Sequence, residues 1–209
     1  MTQESFRPWV GEHYNETRLL LLGESAYSWQ DENGQWQRPT PDLPTEIVKE
    51  VLDDFRSADD MRFMKMLSRG LAGAEEPSKE RLYHVWHRVA FTNYIGGTTG
   101  EAPRERPTRD MWEAAKHAFR PDILNKLRPR RIIVLGKDLW GMMPEIMPET
   151  GVYMLDDVQG YLLDDHSVAV CWALPHPAGG LSWTRLADTI HFALGGELPR
   201  NGRCPVGGE

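Results

Sequence analysis

The chain has 209 residues, of which 40% are hydrophobic and 26% charged, as in an ordinary globular protein. No apolar run approaches the roughly 20 residues of a membrane span, and the N-terminus lacks a signal-peptide pattern, so we expect a cytoplasmic protein without membrane contact. The two cysteines, Cys171 and Cys204, are too few for a disulfide framework, a four-cysteine zinc site or an iron–sulfur cluster. We therefore expect no metal and no cofactor.

The formal net charge of −7 excludes a general nucleic-acid coat protein. The charge is unevenly distributed, because residues 101–140 hold ten Lys and Arg against six Asp and Glu. An acidic protein can still bind DNA through one face that concentrates its cations.

Four apolar runs, most of them closed by glycine or proline, predict buried strands at residues 19–22, 89–94, 131–136 and 168–174. A polar N-terminal arm (1–17) precedes them, and a loose Pro/Gly-rich tail (196–209) follows. The remaining predicted elements, in chain order, are a polar loop at 30–44, helices at 45–71 and 78–86, a helix at 108–127 that Pro121 bends or splits, a short helix at 137–147, an irregular hairpin at 151–166 and a closing helix at 181–194.

Strands that alternate with helices predict an α/β fold. We expect a single domain spanning residues 1–209, a monomer, built as a four-stranded parallel sheet with helices on both faces.

Polar side chains follow three of the four predicted strands. Glu24 and Ser25 come after the first strand, Asn93 ends the second, and His176 follows the fourth. Ligands of open parallel sheets bind beyond the carboxyl ends of the strands, so these residues are expected to meet in one crevice, with Tyr27 as a wall for a flat ligand. A carboxylate, an amide and an imidazole suit acid/base work, reading of a heterocycle edge and stabilisation of an anion.

Each of these residues also has a purely structural interpretation. Glu24 could cap a turn, Asn93 could bond turn backbone, and His176 could be a satisfied loop residue. The sequence alone leaves both interpretations open.

The order of four segments, RLLLLGESAY, FTNYI, LRPRRIIVLG and ALPHPAGGLS, resembles the uracil-DNA glycosylase superfamily over residues 18–190. The resemblance matches Gly23, Glu24 and Tyr27 to the first motif of that family, Asn93 to its base-reading Asn and His176 to its last loop. It also implies that Leu181 wedges into the DNA stack.

The resemblance implies a monofunctional DNA glycosylase that hydrolyses the bond between a flipped-out base and its deoxyribose. Glu24 would orient water or stabilise the sugar cation, and His176 would stabilise the departing base. Asn93, Tyr27 and Ser25 would contact that base. DNA would be held by six residues of the surrounding loops, namely Leu181, Ser182, Arg185, Arg104, Arg106 and Arg109.

Departures from the family pattern affect the expected substrate. Ser25 stands where the best-known branch has its water-activating Asp, which leaves Glu24 as the nearest carboxylate and Asp31 and Glu32 as reserves. The small residues 178–180 replace a bulkier pair in the His loop and could widen the pocket. The substrate is then uracil, or a bulky modified pyrimidine such as a hypermodified cytosine of phage DNA.

Two alternatives belong to other functional classes. The segment from Gly23 to Tyr27 partly imitates the Gly-x-Ser-x-Gly elbow of a serine hydrolase, with Ser25 as nucleophile, although the second glycine is missing. The chain could also be a catalytically silent relative that binds DNA or a nucleotide.

Overall fold

A computed structural model describes residues 5–30, 33–55, 61–100, 105–144 and 158–196. The strands are β1 Trp9–Val10, β2 Leu19–Gly23, β3 Trp29–Gln30, β4 Trp36–Gln37, β5 Val89–Asn93, β6 Arg131–Leu135, β7 Val158–Leu162 and β8 Val168–Leu174. The helices are α1 Tyr14–Thr17, α2 Leu43–Asp53, α3 Arg62–Ala72, α4 Lys79–Trp86, α5 Arg109–Ala118, α6 Asn125–Leu127, α7 Lys137–Met142 and α8 Trp183–Ala193.

The main sheet is mixed and has six strands in the order β1-β5-β2-β6-β8-β7. The four strands predicted from apolar runs form its parallel centre, which confirms the α/β class. The prediction of a purely parallel, four-stranded sheet is wrong, because β1 and β7 add antiparallel edges. The sequence signal used for strands was a long apolar run, and neither edge strand has one. β1 has only two residues, and Gly160 interrupts β7.

The register of the central strands brings their carboxyl ends to one edge of the sheet. Leu19 pairs with Val89 on one side and with Arg131 on the other, and Gly23 is level with Asn93. The segments that follow these strands therefore start from one edge, which we call the carboxyl edge.

Helices cover both faces of the sheet, as predicted. Leu19 and Leu21 point to the face that carries α2, α3, α4 and α8. Leu20 and Leu22 point to the opposite face, under α5 and α7. All four leucines are at most 1% exposed, and full burial stabilises the fold by about 2 kcal/mol per leucine.

Local signals set several helix boundaries. Ser78, Thr108 and Ser182 each accept a backbone N–H at the start of α4, α5 and α8. Pro121 splits the helix predicted over 108–127 into α5, a π-helical turn at Phe119–Leu124 and α6, because proline has no N–H for the regular ladder. In the described part of the chain, no helix is both long and apolar enough to cross a membrane.

Candidate functional site

The loop after β2 is fixed by backbone hydrogen bonds to the segment after β5. Ile95 N–H donates to the Glu24 carbonyl at 2.9 Å, and Thr99 N–H donates to the Ala26 carbonyl at 3.1 Å. Ala26 also forms an isolated parallel bridge with Thr98. The β2 loop is therefore held beside the end of β5.

Asn93 is buried at the end of β5, with 8% of its surface exposed. A Cβ atom at Gly23 would collide with the Asn93 Oδ1 atom. A side chain at position 23 would therefore displace the Asn93 amide, which lies directly beside the start of the Glu24 loop.

Phe63 also lies at this edge, and the sequence analysis did not identify it as a site residue. It comes from α3, is half-buried, and its Cζ lies 3.7 Å from the Cβ position of Gly23. Its ring centroid is 5.6 Å from that of His176, with the planes tilted by 32°. The sequence signal for this position was the apolar stripe of α3. Phe63 is next to Met64, which is buried together with Leu67, and a residue beside such a stripe lies at the rim of the helix interface.

His176 lies in the loop after β8, just before a short 3₁₀ turn at Pro177–Gly179 that packs against α3. Although the residue is exposed overall, burial of its ring and the nearby charge of Arg106 lower its pKa, and Asp138 partly opposes this shift. His176 is therefore mainly neutral at pH 7 and can donate one N–H.

Glu24 shares a charged cluster with Arg106 and Asp138. Arg106 Nη1 lies 2.6 Å from Asp138 Oδ2 and 3.9 Å from Glu24 Oε1. The Glu24 side chain is only 11% exposed. Burial raises the pKa of its carboxyl group, Arg106 lowers this pKa, and Asp138 raises it further. Arg106 is thus already engaged by two carboxylates, which argues against the prediction that it is a free phosphate contact.

Tyr27 and Ser25 complete the β2 loop. Tyr27 is half-buried, and after Asp138 and Glu24 it makes a smaller contribution to the raised pKa of Arg106. Ser25 Oγ is buried, and no hydrogen-bond partner for it exists among the described residues. A serine nucleophile needs a base within hydrogen-bond reach, so the part of the chain that is described does not support the hydrolase alternative.

The residues predicted to contact DNA differ in their exposure to solvent. Leu181 is 5% exposed and belongs to the hydrophobic core, so it is not presented as a wedge. Ser182 is exposed and caps α8 by accepting the N–H of Arg185 at 3.2 Å. Arg185 is half-buried and Arg109 is exposed. Arg104, also predicted to contact DNA, and the reserve carboxylates Asp31 and Glu32 lie outside the described residues.

A cavity of about 310 Å³ lies on the face of the sheet that α5 covers, and Asn93 is one of its lining residues. Its walls come from the N-terminal arm, the end of β5, α5 and the π-helical turn, and they do not include Glu24 or His176. Within the described ranges, no group of three or more His, Cys, Asp or Glu side chains could hold a metal ion.

No known protein family and no curated protein matches this chain. At the carboxyl edge, Asn93 and Phe63 both approach Gly23, Phe63 approaches His176, and Glu24 follows Gly23 directly. A buried amide, an aromatic ring, a mainly neutral imidazole and a desolvated carboxylate thus surround one short segment of backbone. Such a set can bind a flat heterocycle and stabilise charge of either sign beside it.

Proposed function

We propose that this protein is a DNA glycosylase that hydrolyses the N-glycosidic bond of a flipped-out deaminated or modified base, as the resemblance to uracil-DNA glycosylases implies. One observation supports this proposal most directly. Asn93 and Phe63 both approach Gly23, one residue before Glu24, and His176 lies against the Phe63 ring. The DNA partner, a monomeric state and a cytoplasmic location belong to the same proposal.

In this proposal, the base stacks near Phe63 and is read by the Asn93 amide. Tyr27 limits the space on the loop side. An amide offers both donors and an acceptor, so it can match the edge of a pyrimidine. Phe63 supplies the flat apolar surface on which any base can stack.

Bond cleavage separates a sugar with positive character from a base that carries away the bonding electrons. Glu24 stabilises the sugar cation or orients the attacking water, and its low exposure strengthens this electrostatic effect. Arg106 opposes the effect of burial on the Glu24 pKa and so favours the ionised form. His176, mainly neutral at pH 7, donates an N–H to the departing base.

The choice between uracil and a bulky modified pyrimidine depends on the room around the base. Ser25 in place of an Asp, and the small residues 178–180 in the His loop, support the bulkier substrate.

The test uses single-turnover incubation with two labelled DNAs of the same sequence, one containing uracil and one containing hypermodified cytosine. Abasic sites are detected by strand cleavage in alkali. Abasic sites in either DNA support the proposal, provided that Glu24→Gln lowers their rate of formation. Binding of both DNAs without any abasic sites would instead identify a catalytically silent relative.

A further inference from the structure

Base flipping leaves a gap in the DNA stack that an apolar side chain of the protein usually fills. The resemblance assigns this role to Leu181, but Leu181 is a core residue here. A flipping enzyme with this structure therefore needs another exposed apolar group near the carboxyl edge.

Six large hydrophobic residues are exposed in the described part of the chain. They are Val10, Trp29, Trp36, Tyr83, Val168 and Leu194.

Four of these six lie away from the carboxyl edge. Tyr83 is on α4, just before β5 begins, and Val168 is the first residue of β8. Leu194 follows α8, whose last residue, Ala193, accepts a hydrogen bond from Arg131 at the start of β6. Val10 is on the lateral strand β1, paired with Ala90 near the start of β5.

Trp29 and Trp36 are the remaining two, and both belong to a small hairpin that follows the β2 loop. Ser28, the residue before the hairpin, is buried and its N–H donates to the Gly100 carbonyl at 3.2 Å. The hairpin therefore begins from the same anchored loop that carries Glu24, at the carboxyl edge of the sheet.

The pairing register places the two indoles on opposite faces of the hairpin. Trp29 is opposite Gln37, and Trp36 is opposite Gln30. Directly opposed residues share a face and successive residues alternate, so each face carries one tryptophan. Their exposed fractions are 45% and 46%, which leaves an aromatic surface available on each side.

We propose that the hairpin of Trp29 and Trp36 is a DNA-contacting surface on which unstacked bases beside the target nucleotide stack. This inference rests on the proposed function. Indole rings bind the π-face of any base, so the contact tolerates any sequence around the target. It also requires no phosphate contact, which suits an acidic protein whose Arg106 is engaged by carboxylates.

The experiment measures binding of the full-length protein to two fluorescein-labelled probes by anisotropy. One probe is a single strand, and the other is a duplex with one tetrahydrofuran abasic analogue. The variants are Trp29→Ala, Trp36→Ala and the double variant, with Tyr83→Ala as the matched control because Tyr83 is an equally exposed aromatic at the amino end of the sheet. Replacement of both tryptophans by Phe tests stacking while preserving an aromatic ring, and thermal melting confirms that each variant folds.

Loss of one stacked base lowers affinity by about 5-fold or more. We expect the double alanine variant to lose at least that factor on both probes, while Tyr83→Ala and the double Phe variant stay within about 2-fold of wild type. A double alanine variant that binds like wild type overturns this inference, and so does an equal loss in Tyr83→Ala. If the wild type binds neither probe and forms no abasic sites, the proposed function itself fails.

Discussion

Gly70 lies where α3 crosses α8, and we expect Gly70→Ala to destabilise the protein although alanine is the better helix former. A Cβ at Gly70 would lie 2.5 Å from Leu186 Cδ2, 2.6 Å from its Cγ and 2.9 Å from its Cβ. Carbon atoms in contact normally stay about 3.5 to 4.0 Å apart. Leu186 is 0% exposed and lies in the hydrophobic core between α3 and α8, so restoring a normal contact distance requires α3 and α8 to separate by about 1 Å.

The expected net loss combines two opposing effects. Overpacking of a filled core costs about 3 kcal/mol at the upper end of its usual range, and the Gly-to-Ala change in helix propensity returns about 1 kcal/mol. The net loss of about 2 kcal/mol corresponds to a fall in Tm of roughly 4 to 8 °C for a chain of this size. Because α3 also carries Phe63, we expect the rate of abasic-site formation to fall as well.

Thermal and urea unfolding measure the effect on stability, and Gly141→Ala is the matched control. Gly141 lies within α7, and a Cβ there would meet no atom within 4 Å, so this change should stabilise by up to about 1 kcal/mol. In a Leu186→Ala background, Gly70→Ala should cost less than in the wild type, since Cγ and Cδ2 are gone and only the contact with the Cβ of residue 186 remains. A Gly70→Ala protein as stable as wild type, or more stable, would refute the packing of α3 on α8.

Three further predictions concern the carboxyl edge. Glu24→Gln and His176→Ala should each lower the single-turnover rate of abasic-site formation by roughly 10² or more with the fold retained, and full activity in either variant removes that residue from the mechanism. The raised pKa of Glu24 means that the folded state holds its proton to higher pH than the unfolded state, so the stability contributed by the neutral carboxyl is lost as pH rises through that pKa. Urea unfolding should therefore show Glu24→Gln gaining stability over wild type at about pH 8 but not at about pH 4, and an equal difference at both would contradict the desolvation of Glu24. Binding to DNA should weaken steeply between low and physiological salt, and less steeply in an Arg109→Ala, Arg185→Ala double variant, so a salt-independent affinity would exclude phosphate contacts.

The centre of the fold could be predicted from the sequence because its signal is local. An uninterrupted apolar run such as residues 19–22 is typical of a strand buried on both faces, and all five residues of β2 are buried. The edge strands have no such signal. Residues 9–10 are too short to show a period, and β7 depends on pairing with β8 rather than on its own composition.

The candidate site could likewise be predicted only where its signal is local. Glu24 and Asn93 could be located because each residue lies at a strand end, and the register of two parallel strands then brings these ends together. The proximity of Phe63 to His176 depends on how α3 packs over the sheet, and the burial of Leu181 depends on how α8 begins. Those are long-range packing outcomes, which no local pattern in the chain encodes.

The distribution of unfavourable features supports the carboxyl edge as the functional side. Between residues 24 and 36 the described part of the chain holds a desolvated carboxylate, two buried hydroxyls without a hydrogen-bond partner (Ser25 and Ser28), and two half-exposed indoles. An unpartnered buried hydroxyl alone costs about 1 to 3 kcal/mol. Near the amino ends of the strands, Tyr14 Oη and His87 Nδ1 also lack a hydrogen-bond partner among the described residues, while the Arg131 guanidinium donates to the carbonyls of Thr17 and Ala193. Folding stability alone gives no reason to place a desolvated carboxylate, two unpartnered hydroxyls and two half-exposed indoles in one loop, whereas a site that binds and releases a base needs polar groups and aromatic surface within reach of the ligand.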